Sequence, residues 1–320
     1  MKTITTVKKN TIQRPTGLEE RRKLEKFKAV LPLHLMLLPA VILLAIYEYF
    51  PMVGLTMAFQ DFIPNRGFFG SPWVGLDNFE YMFKIKQFRR VIFNTFFIST
   101  MKIVVKTVVP IILALLLNEV GKSWFKRSVQ TITYLPHFLS WVILGGIILD
   151  FASPVSGALN KFIEMLGGEP IYFFGEAALF PYMVVATDLW RDLGFSTIIF
   201  LAALSSVDPN LYEAAIVDGA GRWKQTWHIS LPAMMPIVML STILSLGIIL
   251  KAGFAQILNL YSPMVYSTGD IIDTYVYRIG LKEGRYSLAT AVGLFQSSVS
   301  FVLITISYWF ANKFSNYRVF

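Results

Sequence analysis

The chain has 320 residues, of which 55% are hydrophobic and only 15% charged, and its mean hydropathy is +0.56. Soluble domains carry about 25% charged residues, so a wettable globule is excluded and the solvent is largely lipid. Cys is absent, which removes disulfides and thiolate metal sites. His34, His137 and His228 stand singly, which argues against a metal centre or a histidine base.

Residues 1–28 carry nine Lys or Arg against Glu19, Glu20 and Glu25, two thirds of the net +9. Ahead of an apolar run, such a tail reads as a cytoplasmic anchor beside anionic lipid rather than a nucleic-acid site. It is too long and too charged for a signal-peptide n-region, and the run after it ends in no cleavage pattern, so it is expected to stay in the mature protein.

A helix needs about 20 residues to cross hydrocarbon. Six segments qualify: 30–58, 91–117, 129–150, 178–204, 233–258 and 288–311. The class is all-α, integral and multi-pass, with six transmembrane helices between the tail 1–28 and a short C-terminal tail, 313–320. Pro32, Pro39, Pro51 and Gly54 predict kinks, or a short surface helix, in the first span. An even number of spans puts both termini on one side. Sixteen Lys or Arg then fall inside against nine outside, supporting cytoplasmic termini. Lys84, Lys86, Arg89 and Arg90 run against that bias.

Three outer segments, 61–90, 151–177 and 259–287, are long and aromatic-rich. They cap the bundle or dock an external protein. Trp73 to Phe79 reads as a turn leading into an interfacial amphipathic helix.

Charges at mid-bilayer cost about 3 kcal/mol each on the lenient insertion scale. Lys102, Lys106, Asp188, Arg191, Asp192 and Lys251 all fall inside expected spans, and Glu48 falls in the first. Lys102 and Lys106 share a helix face. Two readings stand. Arg191 neutralises Asp188 in a buried structural network and the lysines snorkel, or the groups line a watery cavity and meet a polar solute. Two like charges on one face suit uronate carboxylates. Trp141, Trp190, Tyr182 and Tyr134 are candidate stacking surfaces for sugar rings.

Segment 205–232 is the most distinctive. Asp208-Pro209 caps and starts a helix. Tyr212, Ala215 and Ile216 form one apolar stripe. Gly219 permits the left-handed residue that ends the helix, a second piece runs Arg222 to Ile229, and Pro232 marks re-entry to the membrane.

This loop, with Leu189 to Phe195, Leu201-Ala202-Ala203-Leu204 and Trp73 to Phe79, resembles permease subunits of binding-protein-dependent ATP-binding cassette importers. The resemblance is to the carbohydrate branch and covers about residues 30–312. The basic tail and the extended outer loops resemble permeases for oligo- or polysaccharides, the alginate-importer type among them. The resemblance implies a type I importer permease in the bacterial cytoplasmic membrane, with a cytoplasmic coupling helix. It implies a second homologous permease, two ATPase subunits, an extracytoplasmic solute-binding protein and a saccharide cargo. Glu213, Ala214, Ala215, Asp218, Gly219 and Ala220 become the ATPase-docking residues. Lys102, Lys106, Asp188, Trp190, Arg191, Asp192 and Lys251 are the substrate-pathway candidates. The chain has no phosphate-binding Gly-x4-Gly-Lys loop, so ATP and Mg belong to the partners, and the chain itself carries no cofactor and is no enzyme. The alternative is an ion-gradient transporter, whose mark would be inverted repeats around a buried acidic site.

Overall fold

The computed structural model describes residues 17–247 and 249–314. The expected tails lie largely outside them: residues 1–16 and 315–320 are not described, nor are the side chains of 17–29 and 310–314. The chain forms two units, Met1–Leu55 and Thr56–Phe320.

In the first unit, α1 (Gly17–Leu44) runs through Pro32 and Pro39. A π-helical turn, Ala45–Tyr49, follows and holds Glu48. A 3-10 stretch, Phe50–Phe59, then leads on into the second unit. The expected irregularity is therefore a change of helical winding, with no separate surface helix among the described residues.

The second unit opens with the expected turn and α2 (Asp77–Lys84). Trp73 stacks on Phe59 at 5.6 Å between ring centroids. Asn78 Nδ2 donates to the Ala58 and Gln60 carbonyls, both at 3.0 Å. These contacts pin α2 to the chain that precedes it. After it, α3 (Lys86–Glu119) is one continuous 34-residue helix.

The third expected span is broken. α4 (Ser123–Tyr134) and a 3-10 turn, Leu135–Phe138, meet α5 (Trp141–Phe151) at 109°. Pro136 stands in the turn, and the Ser140 hydroxyl caps α5 by accepting from Ile143 N. α6 (Ala158–Met165) follows in the loop, where Asn160 Nδ2 donates to the carbonyls of Ala152, Ser153 and Ile171. α7 (Phe180–Ser205) turns 68° into α8 (Pro209–Val217).

The second elbow piece, α9 (Arg222–Gln225), continues through a π-helical turn, Thr226–Ser230, into α10 (Leu231–Gly247). Pro232 thus lies inside one continuous helical run, Arg222–Gly247, where the π-helical turn just before it accommodates its ring and missing N–H, and re-entry is seamless. The fifth helix ends at Gly247, so Lys251 lies in a non-helical break, 251–253, and not inside a span. α11 (Phe254–Leu260), α12 (Ile272–Tyr277) and α13 (Tyr286–Phe314) complete the unit.

Among the described residues, four helices are long and apolar enough to cross a membrane, and up to six spans result if each bent pair counts as one. Three clusters hold the second unit together. Ile98, Leu144, Phe180 and Ile257 join α3, α5, α7 and α11. Phe88, Tyr275 and Val292 join α3, α12 and α13. Ala114, Phe200, Leu204 and Met234 join α3, α7 and α10.

Candidate functional site

Helices α3, α7 and α10, with Trp141 and the 251–253 break, enclose a cavity of about 370 Å³. Its wall includes Lys102, Lys106, Asp188, Arg191 and Lys251, alongside Ser99, Ser241 and Ser245. Lys102 and Lys106 lie one turn apart on α3, and Asp188 and Asp192 one turn apart on α7, so the two pairs confront each other.

Lys106 Nζ lies 2.6 Å from Asp192 Oδ2 and 3.1 Å from Asp188 Oδ2. Lys102 Nζ reaches Asp188 Oδ2 at 3.7 Å, donates to the Ala252 carbonyl at 2.8 Å and bonds Gln256 Oε1. Gln256, fully buried, passes the network to the Val184 carbonyl at 2.7 Å and Thr187 Oγ1 at 2.9 Å. Gly253 makes this possible. Its φ is +99°, and a Cβ there would stand 2.8 Å from Lys102 Nζ.

Arg191 does not neutralise Asp188. It points along α7 to Asp192 Oδ1 at 3.4 Å, reaches the His137 carbonyl at 3.3 Å and lies 5.1 Å from the Trp141 ring centroid. Helical spacing allowed the i, i+3 pair, but the lysines of α3 offer Asp188 closer cations. Nor is His137 isolated. Its Nδ1 lies 3.0 Å from Asp192 Oδ1, and its ring stacks on Phe195 at 4.4 Å. The residue sits in the turn between α4 and α5, so Asp192 and Arg191 together tie that bend to α7.

Trp190 faces elsewhere, into an apolar pocket of about 490 Å³ with Phe151, Phe173 and Met183. Tyr182 is exposed beside Phe97. Tyr134 is half-buried and packs close to Gly194. Of the four aromatic candidates only Trp141 lines the charged cavity. Ser99 Oγ and Arg191 Nε, both on residues of its wall, are buried with no protein partner. Such unsatisfied groups are uncommon.

The elbow is well defined. Asp208 accepts from Asn210 N at 3.0 Å, Pro209 begins α8, and Gly219 takes φ +75°. Tyr212 Oη and Ser230 Oγ, 2.9 Å apart, clamp α8 to the π-helical turn. Tyr212 and Ala215 are half-buried, whereas Ile216, the third member of the expected stripe, is 63% exposed. Ala220 is half-buried, and Glu213, Ala214, Asp218 and Gly219 are exposed. Among the described residues no group of three or more His, Cys, Asp or Glu could hold a metal ion.

Fold and site define a multi-pass helical membrane protein with a charged cavity in its bundle and a rigid elbow between two helices. Residues 106–316 match the family described as binding-protein-dependent transport system inner membrane component, and the chain belongs to that family. It is 43% identical to Protein LplB of Bacillus subtilis (strain 168), over 90% of this chain and 91% of that one. It is 41% identical to the polygalacturonan/rhamnogalacturonan transport system permease protein YteP of the same organism, over 90% of each chain. A crystal structure of a bacterial ABC transporter involved in the import of the acidic polysaccharide alginate has a chain that superposes with a TM-score of 0.84 at 38% identity, covering 92% of this chain and 99% of that one. A second, of a bacterial alginate ABC transporter in complex with alginate pentasaccharide-bound periplasmic protein, gives 0.82 at 38% identity, over 90% and 96%. The chain is therefore a permease subunit of an ATP-driven sugar or polysaccharide importer. ATP is hydrolysed by separate ATPase subunits, and this chain is not an enzyme. Nothing in these comparisons supports the ion-gradient alternative.

Proposed function

We infer that the cargo is an acidic oligo- or polysaccharide, delivered by an extracytoplasmic solute-binding protein to a cavity that this chain shares with a second, related permease. Two ATP-binding cassette subunits, holding ATP and Mg, dock beneath. The elbow's Glu213, Ala214, Ala215, Asp218, Gly219 and Ala220 enter a groove on one of them, and both termini lie in the cytoplasm.

The charge balance of the cavity carries this reading. Four cations, Lys102, Lys106, Arg191 and Lys251, on its wall stand against three carboxylates, Asp188 on the wall and Asp192 and Asp273 beside it. Lys102 and Lys106 are committed to Asp188 and Asp192. Lys251 makes no ion pair within 4.0 Å among the described residues, and Ser99 Oγ and Arg191 Nε have no protein partner. Lys251, exposed on that wall, is the cation a uronate would meet. The substrates of two relatives, polygalacturonan and alginate, are acidic too.

Lys251→Gln tests the cargo, and Asp273, the carboxylate that shares a pocket with Lys251, keeps its hydrogen bond from Gln296 Nε2 at 2.9 Å. Uptake of a uronate oligosaccharide by the reconstituted complex is expected to need several-fold more substrate for half-maximal rate, with basal ATP hydrolysis unchanged. Unaltered uptake would remove Lys251 from the path. Deleting Lys102 or Lys106 is a poorer probe, because each deletion leaves Asp188 or Asp192 short of a partner and confounds folding with transport.

A further inference from the structure

Lys86, Arg89 and Arg90 serve neither the cavity nor the elbow. They lie at i, i+3 and i+4 on α3 and share one face. All three are exposed, and among the described residues none has a carboxylate within 4.0 Å; the nearby Lys84 pairs with Glu80 at 3.6 Å.

Farther along the same face come Phe93 and Phe97, both exposed, with ring centroids 6.0 Å apart and planes at 11°. Val104 and Val108 continue it, also exposed. The face thus changes from cationic to aromatic to aliphatic along the helix, the order of polarity from a lipid headgroup layer into hydrocarbon. An acidic protein surface would match the cations and leave Phe93 and Phe97 uncovered. A phospholipid matches both.

We propose that this face of α3 binds an anionic phospholipid of the outer leaflet, its phosphate held by Lys86, Arg89 and Arg90 and its acyl chains lying along Phe93 and Phe97. This accounts for an outer basic cluster that opposes the inside bias of Lys and Arg. The leaflet assignment rests on the orientation given under the proposed function. The lipid contact does not.

The assembled complex in nanodiscs of phosphatidylcholine, with and without phosphatidylglycerol, provides the test. Wild type is expected to retain phosphatidylglycerol through detergent exchange, quantified by mass spectrometry. Changing Lys86, Arg89 and Arg90 to Gln is expected to weaken that retention by roughly fivefold for each charge removed. Retention equal to wild type overturns the proposal. So does weakened binding of the solute-binding protein with lipid retention intact, which would assign the cations to an acidic protein. So does displacement of the lipid by inorganic phosphate or a uronate oligosaccharide at equal charge, which would assign them to a soluble anion. If the triple variant fails to assemble, Arg90→Gln alone carries the same reading, with a single fivefold step. Because the chain has no Cys, Gln87→Cys labelled by an impermeant maleimide reports the leaflet separately. Labelling only from the cytoplasm would sink the orientation while the lipid test stands.

Discussion

The Lys106 ammonium lies 2.6 Å from the Asp192 carboxylate, joining α3 to α7 across the cavity wall. That contact explains how two lysines can share one helix face inside a membrane. Each stands opposite a carboxylate one turn from the next, and the repulsion expected between Lys102 and Lys106 is offset by Asp188 between them. The side chains are largely buried, so desolvation makes either partner alone costly.

Lys106→Met is therefore expected to destabilise the assembled complex by about 3 kcal/mol. Lys106→Met combined with Asp192→Asn should recover part of that loss, because it removes a carboxylate left with only His137 at 3.0 Å and Arg191 at 3.4 Å. Thermal melting of the purified complex compares the two. With Asp192→Asn alone measured as well, a double-variant loss equal to the sum of the two single losses would show that the pair carries no coupling energy.

At Gly194, α7 comes into close contact with the end of α4. A Cβ there would stand 2.5 Å from the Thr133 carbonyl oxygen and would also strike the Tyr134 ring. Backbone cannot yield as a flexible side-chain tip can, so Gly194→Ala is expected to cost about 1–3 kcal/mol and to loosen the bend held by His137. Gly146→Ala, in open space, is the control and should be near neutral. Yield and melting temperature of the two variants decide the matter.

What could be read from sequence follows the range over which each signal acts. The elbow was legible because its cap, its starting proline and its left-handed glycine lie within a dozen residues: Asp208, Pro209 and Gly219 do what their types dictate. The partner of Asp188 was not legible, because Lys106 lies 82 residues away and only packing brings them together. The 109° bend was hidden for a different reason. Pro136, His137 and Ser140 are isolated among the apolar residues from Leu135 to Ile148, and a window average smooths over them and cannot see Pro136 and the Ser140 cap turning the chain. The same averaging carried the fifth span past Gly247 and put Lys251 inside a helix. The His137–Asp192 contact left no local trace, since 55 residues separate the two.

Glu213 is exposed on α8, so Glu213→Lys should leave folding and membrane insertion intact while reversing the charge offered to the ATPase. The expected result is normal abundance in the membrane with substrate-stimulated ATP hydrolysis reduced at least tenfold, about 1.4 kcal/mol of lost coupling. Hydrolysis stimulated as in wild type would remove Glu213 from the docking surface. Gly219→Ala is the companion. It strains a residue held at φ +75° by about 1 kcal/mol without changing charge, so a milder loss is expected.

Asp270 anchors the outer loop between α11 and α13 and is completely buried. Arg278 Nη2 lies 2.5 Å from its Oδ2, the Thr274 hydroxyl donates to its Oδ1 at 2.8 Å, and Arg278 also lies over the Tyr266 and Tyr275 rings. Burial pushes the Asp270 carboxyl above its ordinary range, and Thr274 and Arg278 pull it part of the way back. A raised folded-state value favours the protonated form, so its contribution to stability is fully present at low pH and declines as pH rises through the folded-state value. Removing the cation raises that value further. Arg278→Gln should therefore cost about 3–5 kcal/mol near neutral pH, and less at about pH 4, where the carboxyl is half protonated even in unfolded chain. Melting temperatures of wild type and variant, taken from about pH 4 to pH 7, should diverge as pH increases. A gap that stays constant or narrows over that range would show that Asp270 does not need Arg278 to keep its charge.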